Sequence, residues 1–126
     1  MCATVLWLLA GCASVGSDTE AASQVVLAFY SATASGNGAV ACVLLAPGTL
    51  AELVDSADKP CAQAVLALDL PSAGAVRQTQ TFGTAAQVVM DGDVVFLTDS
   101  GGSWQVTAAG CTARGDQPYR CTISGG

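Results

Sequence analysis

Leu70-Pro71-Ser72-Ala73-Gly74 divides this chain of 126 residues into two patterns. Proline removes a backbone donor and fixes φ, and glycine admits conformations closed to other residues, so neither a helix nor a strand passes through. Before this stretch apolar residues recur at helical spacing. After it they alternate at the period of two that marks a strand. Helices first and a run of antiparallel strands after is an α+β pattern, in which the helices cover one face of the sheet.

Working back towards the N-terminus, Cys61 to Leu68 is alanine-rich and reads as a short helix, with Pro60 suited to its first position. Leu50 to Ser56 is another, with Thr49 as its expected cap and Glu52 in its first turn. Pro47-Gly48 separates it from a helical patch at Ala39 to Leu45 that carries Cys42 on its apolar face. Ala22, Val25, Val26, Phe29, Tyr30 and Thr33 share one face of a longer first helix. Its start is expected at Ser17 to Thr19, with Asp18 or Thr19 as cap, and its stop at Gly36-Asn37-Gly38.

Working forward, Val76 to Phe82 alternates, with Val76, Gln78, Gln80 and Phe82 on one face. Thr84 to Met90 and Asp93 to Thr98 flank Asp91-Gly92, a dipeptide suited to a two-residue type I′ hairpin turn. Val94-Val95-Phe96-Leu97 is apolar enough to lie centrally. Ser103 to Ala109 is a fourth strand. Cys111 to Cys121 reads as a loop pinned at both ends, with Thr122-Ile123 as a short edge strand. The expectation is a sheet of about four strands in a single domain over residues 20–126.

Apolar residues make up 52% of the chain, enough to build a core. The net charge of −6, with four scattered basic residues, disfavours nucleic acid and anionic lipid surfaces as partners. Six cysteines and no histidine make a zinc site a poor reading, because no cysteine pair has the two-to-four-residue spacing of a zinc motif. No cofactor or metal motif is found.

The cysteines lead to residues 5–12, Val-Leu-Trp-Leu-Leu-Ala-Gly-Cys. An apolar run ending in small residues is the form of a secretory signal. Leu9-Ala10-Gly11-Cys12 resembles the lipobox of bacterial lipoproteins, in which the thiol is acylated and the chain is cut just before it. That resemblance implies a signal peptide at 1–11, lipidation of Cys12, a tether at 12–19 and an anchor on the extracytoplasmic face of the cell membrane. Residues 1–8 lack the usual basic start, so a basic segment upstream of Met1 is expected. With Cys2 in the signal and Cys12 acylated, Cys42, Cys61, Cys111 and Cys121 remain, an even number with three connectivities. The favoured pairs are Cys42–Cys61 and Cys111–Cys121, each closing a modest loop worth roughly 3 kcal/mol.

Phe29-Tyr30, Gly36-Asn37-Gly38, Cys42 with Leu44-Leu45-Ala46-Pro47, Leu53 and Lys59-Pro60-Cys61 resemble small actinobacterial lipoproteins whose role is not established. So do Asp91-Gly92-Asp93, Trp104-Gln105-Val106, Ala109-Gly110-Cys111, Pro118-Tyr119, Cys121 and the terminal Gly125-Gly126. The layout is similar to the nuclear transport factor two-like fold, a helix-lined cone closed by a curved sheet. That resemblance implies a cone lined by Phe29, Tyr30, Phe82, Phe96 and Trp104. It also implies that activity is not decided by fold, since members include isomerases, dehydratases and non-catalytic domains.

Acid–base chemistry without histidine falls to a carboxylate or a tyrosine. Asp55, Asp58, Asp69, Asp91 and Asp93 each sit where a cap, a turn or a solvated charge explains them. Tyr30 reads as a core or cavity-wall residue. Asp91-Gly92-Asp93 fails as a calcium loop, since Val95 and Phe96 stand where an oxygen ligand and a glycine are needed. Arg114-Gly115-Asp116 matches an integrin-binding tripeptide but reads as a polar turn, and no C-x-x-C redox motif is present. The leading expectation is a non-catalytic envelope domain that binds an envelope protein or a small apolar ligand, or scaffolds at the membrane. The alternative is an isomerase- or dehydratase-like enzyme acting on a small apolar ligand.

Overall fold

The computed structural model describes residues 14–125, with side chains from Asp18 onward. Four helices precede five strands: α1 Ser14–Ala34, α2 Gly38–Val43, α3 Pro47–Ala57 and α4 Cys61–Ala67, then β1 Val76–Phe82, β2 Ala85–Met90, β3 Val94–Asp99, β4 Trp104–Arg114 and β5 Gln117–Ser124. The strands form one antiparallel sheet in the order β1-β2-β3-β4-β5. The expected α+β class and the division at Leu70–Gly74 both stand. The strand count is five rather than about four, because Cys111 to Cys121 is not a loop. It is the far half of a long β4–β5 hairpin, with Cys111 paired directly to Cys121.

Three register shifts, in the β1–β2, β3–β4 and β4–β5 pairings, bend the sheet. The first moves Val76 to the side of Thr79 and Thr81, and leaves Gln78, Gln80 and Phe82 on the other face. The core face carries Ala86, Val88 and Met90 of β2, Val95 and Leu97 of β3, Trp104, Val106 and Ala109 of β4 and Ile123 of β5, all buried. Ala22, Val26, Phe29 and Tyr30 of α1 pack onto it as one face of a helix. At about 25 cal/mol per Å² of apolar surface, residues of this size contribute roughly 1.5–3 kcal/mol each before the entropy of ordering them is counted. β3 lies in the middle of the sheet, as its apolar run requires.

The helix boundaries follow local chemistry, with some corrections. α1 reaches back to Ser14, into the stretch expected as tether. Gly36, at φ +74°, ends the first connection, and the Asn37 side chain accepts from the Val40 N–H to cap α2. Thr49 is not a cap: α3 begins two residues earlier, at Pro47. The Thr49 hydroxyl is buried and donates to the Thr107 carbonyl at 3.0 Å, satisfying the extra residue of the β3–β4 bulge. The segment after α2 adds to β4 as a single parallel bridge, in which Val106 N–H donates to Leu44 and Ala46 N–H donates to Val106, both at 2.8 Å.

The turn at Asp91-Gly92 joins β2 to β3, but it is not type I′. Neither residue has positive φ. Instead Asp91 N–H donates to the Ala75 carbonyl and Gly92 N–H to the Ala73 carbonyl, at 3.0 and 2.9 Å. The connection from α4 therefore supplies partners to two N–H groups that a type I′ turn would leave facing solvent.

Candidate functional site

The Cys42–Cys61 disulfide joins α2 to α4, and Cys111–Cys121 crosses β4 to β5. These are the two favoured pairs. The first sits where Gly38 meets Ala62: a Cβ on Gly38 would stand 2.2 Å from the Ala62 carbonyl oxygen, so α2 and α4 touch backbone to backbone. Residues 1–13, which hold the lipobox and Cys12, lie outside the described residues. Among the described residues, no helix is long and apolar enough to cross a membrane, and no group of three or more acidic or cysteine side chains gathers at metal-binding distance.

The most closely bonded polar group in the core is Asp93. It is 7% exposed and stands on the core-facing register of β3, in line with Val95 and Leu97. Its Oδ1 accepts from the N–H groups of Val94 at 2.7 Å and Cys111 at 2.8 Å. Its Oδ2 accepts from Gly110 N–H at 3.0 Å and from the Tyr30 hydroxyl. Four donors meet four lone-pair sites, so the carboxylate is fully occupied. Gly110 has φ +66°, and a Cβ there would meet the Thr122 side chain at 2.7 Å. Glycine thus lets two successive N–H groups of β4 turn towards one carboxylate. Burial, and then the hydrogen bond and negative charge of Asp93, push the Tyr30 phenol well above the ordinary tyrosine range.

This cluster ties α1 to β3 and to the start of the far β4–β5 hairpin, and it leaves no lone pair free to take a proton from a substrate. Sequence reasoning placed Asp93 in a hairpin and Tyr30 on a helix, but did not join them. The alternation Asp93-Val94-Val95-Phe96-Leu97 puts an acid in register with two core residues and marks Asp93 as buried, without naming its partner.

The other carboxylates stand at the surface. Asp55, Asp58 and Asp69 are exposed, and Asp58 and Asp69 hold left-handed backbone at helix or turn ends. Asp91 accepts from Ala75 N–H at 2.9 Å and pairs with Arg77; these bonds, the backbone one first, hold its carboxyl below the usual carboxylate range. Arg114-Gly115-Asp116 occupies the exposed tip of the β4–β5 hairpin, where Arg114 donates to the Pro118 carbonyl at 3.0 Å.

The five aromatics expected to line a cone do not converge. Phe29 and Tyr30 pack edge to face in the core, with ring centroids 5.5 Å apart. Phe82 is 61% exposed at the end of β1. Phe96 lies on the face of the sheet away from the helices and meets Tyr119 at 5.2 Å. The bulge in β1 and the alternation of β3 decide this, because each turns its aromatic away from α1.

Trp104 opens onto a pocket. That pocket, of about 460 Å³, lies between α1, the end of α2 and the β3–β4 turn, and is lined by Ala21, Val25, Val43, Leu44, Ser103 and Trp104 among others. A second, of about 260 Å³, lies between α3 and β5, with Glu52, Ser56, Thr122 and Ser124 supplying polar groups. Neither is lined by Tyr30 or Asp93. The chain matches no protein-family model, no characterised protein and no solved structure.

Proposed function

We propose that this chain is a lipid-anchored, extracytoplasmic domain of the cell envelope, with a non-catalytic binding or scaffolding role. The observation that carries this reading is the cysteine pairing. The four cysteines of the described residues pair in two bridges, which leaves Cys12 outside both. Disulfides persist in oxidising compartments, so the pairing and the lipobox point to the same side of the membrane. Two acyl chains at about 0.8 kcal/mol per buried methylene would hold such a domain firmly on a bilayer.

The non-catalytic half rests on Asp93 and Tyr30. They are the one buried carboxylate–phenol pair among the described residues, and each already serves the other and the backbone. The finer reading of the fold is a nuclear transport factor two-like cone, supported by helices seated on one face of a sheet bent by three register shifts. The test is membrane fractionation of the intact precursor and its Cys12→Ser variant. Cys12→Ser should move the protein from the membrane to the soluble fraction and abolish incorporation of labelled fatty acid. A variant that stays on the membrane, unlabelled or not, overturns the anchor.

A further inference from the structure

The pocket beside Trp104 has the character of a ligand site. Its volume of about 460 Å³ falls within the range of about 300–1,000 Å³ typical of small-molecule pockets. Val25, Val43, Leu44 and Trp104 provide its apolar walls, and Ser103 and Gln105 lie at one side. Trp104 is 7% exposed, a ring fixed in place, whereas Val43 is 76% exposed and extends the apolar wall into solvent. An exposed valine continuous with a buried tryptophan is a path from water to core, which a ligand would cover.

Size and charge decide the ligand. The pocket is half open to solvent, and its volume leaves room for one acyl chain laid along it rather than two. No Lys or Arg lines it, while Asp18 and Glu20 stand within a turn of Ala21 on α1. A net charge of −6 adds to the repulsion of anions. A fatty-acid carboxylate or lipid phosphate would meet no cation at this mouth. A hydroxyl headgroup would instead meet the polar backbone of the Gly102–Gln105 segment, which lines one side of the pocket.

We propose that this pocket binds one acyl chain of an uncharged single-chain lipid, of the monoacylglycerol class, with the tail along Val25, Leu44 and Trp104 and the hydroxyls against the Gly102–Gln105 segment. The proposal deepens the binding role above and is independent of the anchor.

The experiment uses the full chain carrying Cys12→Ser and Trp7→Phe, so that Trp104 is the one tryptophan, titrated with a brominated twelve-carbon monoacylglycerol below its micelle concentration. Bromine quenches tryptophan only near contact, so saturable quenching places the tail in this pocket. Val43→Asp, at an exposed position that leaves the core alone, should weaken binding roughly tenfold by removing apolar contact and placing a charge on the path. Val40→Asp, on the same helix but off the lining, should bind as the parent does. The bromododecanoate anion should bind at least several-fold more weakly than the neutral lipid. Absent or non-saturable quenching, equal binding by Val43→Asp and its parent, or tighter binding of the anion would each overturn the proposal. Failure of Cys12→Ser to leave the membrane, by contrast, would remove the anchor and leave these results standing.

Discussion

Replacing Asp93 by Asn keeps the shape of the side chain and breaks its chemistry. The site presents two donors to each carboxylate oxygen: Val94 and Cys111 N–H to Oδ1, Gly110 N–H and the Tyr30 hydroxyl to Oδ2. An amide offers one accepting oxygen and one donating nitrogen, so one orientation sets its NH2 against the Val94 and Cys111 N–H groups, and the other sets it against the Gly110 N–H and the Tyr30 hydroxyl, which can turn to accept. In the second, cheaper orientation one buried donor loses its partner, at about 1–3 kcal/mol, and the remaining bonds lose their charge assistance, for a total of about 3 kcal/mol. Tyr30→Phe is milder. It removes one bond to a carboxylate and leaves the three backbone bonds in place, so about 2 kcal/mol is expected. Against a domain stability of about 5–15 kcal/mol, both are measurable and the first is severe. Urea unfolding reads them directly: with a slope of about 1–2 kcal/mol per M, Tyr30→Phe should lower the midpoint by about 1–2 M. The pair should also be non-additive, since the hydroxyl has less to lose once an amide stands opposite. An Asp93→Asn variant as stable as the parent, or a Tyr30→Phe midpoint within about 0.2 M of it, would refute the view that this carboxylate holds α1 to the sheet.

Alkali should act through the same pair. The folded state raises the Tyr30 pKa, so the stabilisation it reflects is fully present below the ordinary tyrosine value of about 10. It is lost as pH climbs beyond that value, because the unfolded chain releases a proton that the folded chain keeps. Tyr30→Phe should flatten that alkaline loss in urea midpoints measured from pH 8 upward, and an unchanged slope would reject it. Removing the Cys42–Cys61 bridge as the double serine variant should cost roughly 3 kcal/mol, for a loop of 19 residues, in urea midpoint or thermal unfolding. Gly38→Ala should cost about 1–3 kcal/mol in the same assay, because its Cβ would stand 2.2 Å from the Ala62 carbonyl oxygen and the two backbones must part.

How much of this was legible differs by element. The α+β division, the helix order and the central place of β3 follow from local periodicity, since each element shows its own repeat within a few residues. Asn37 and Gly36 mark the α1–α2 boundary for the same local reason. Thr49 shows where this fails: as a residue type it suits a cap, yet in the fold it serves a bulge 58 residues away. Asp91-Gly92 fails likewise. The dipeptide suits a type I′ turn, but the Ala73–Ala75 segment offers carbonyls to its N–H groups and a different turn results. In the far hairpin, glycines, a proline and charged residues obscured two strands, which pair because a disulfide and the Asp93 anchor hold their base.

The sequence by itself determined the order of helices and strands and the division at Leu70–Gly74, because these depend on neighbours in the chain. Tertiary structure alone decided which partners the buried polar residues find and which aromatics meet. Asp93 and Tyr30 lie 63 positions apart, and nothing in either neighbourhood names the other. A bulge at Val76–Gln78 and the alternation of β3 turned Phe82 and Phe96 away from the helices, leaving Trp104 to line a pocket with Val25 and Val43. Such pairings depend on how the sheet bends under the helices, a property of the packed molecule that no local pattern contains.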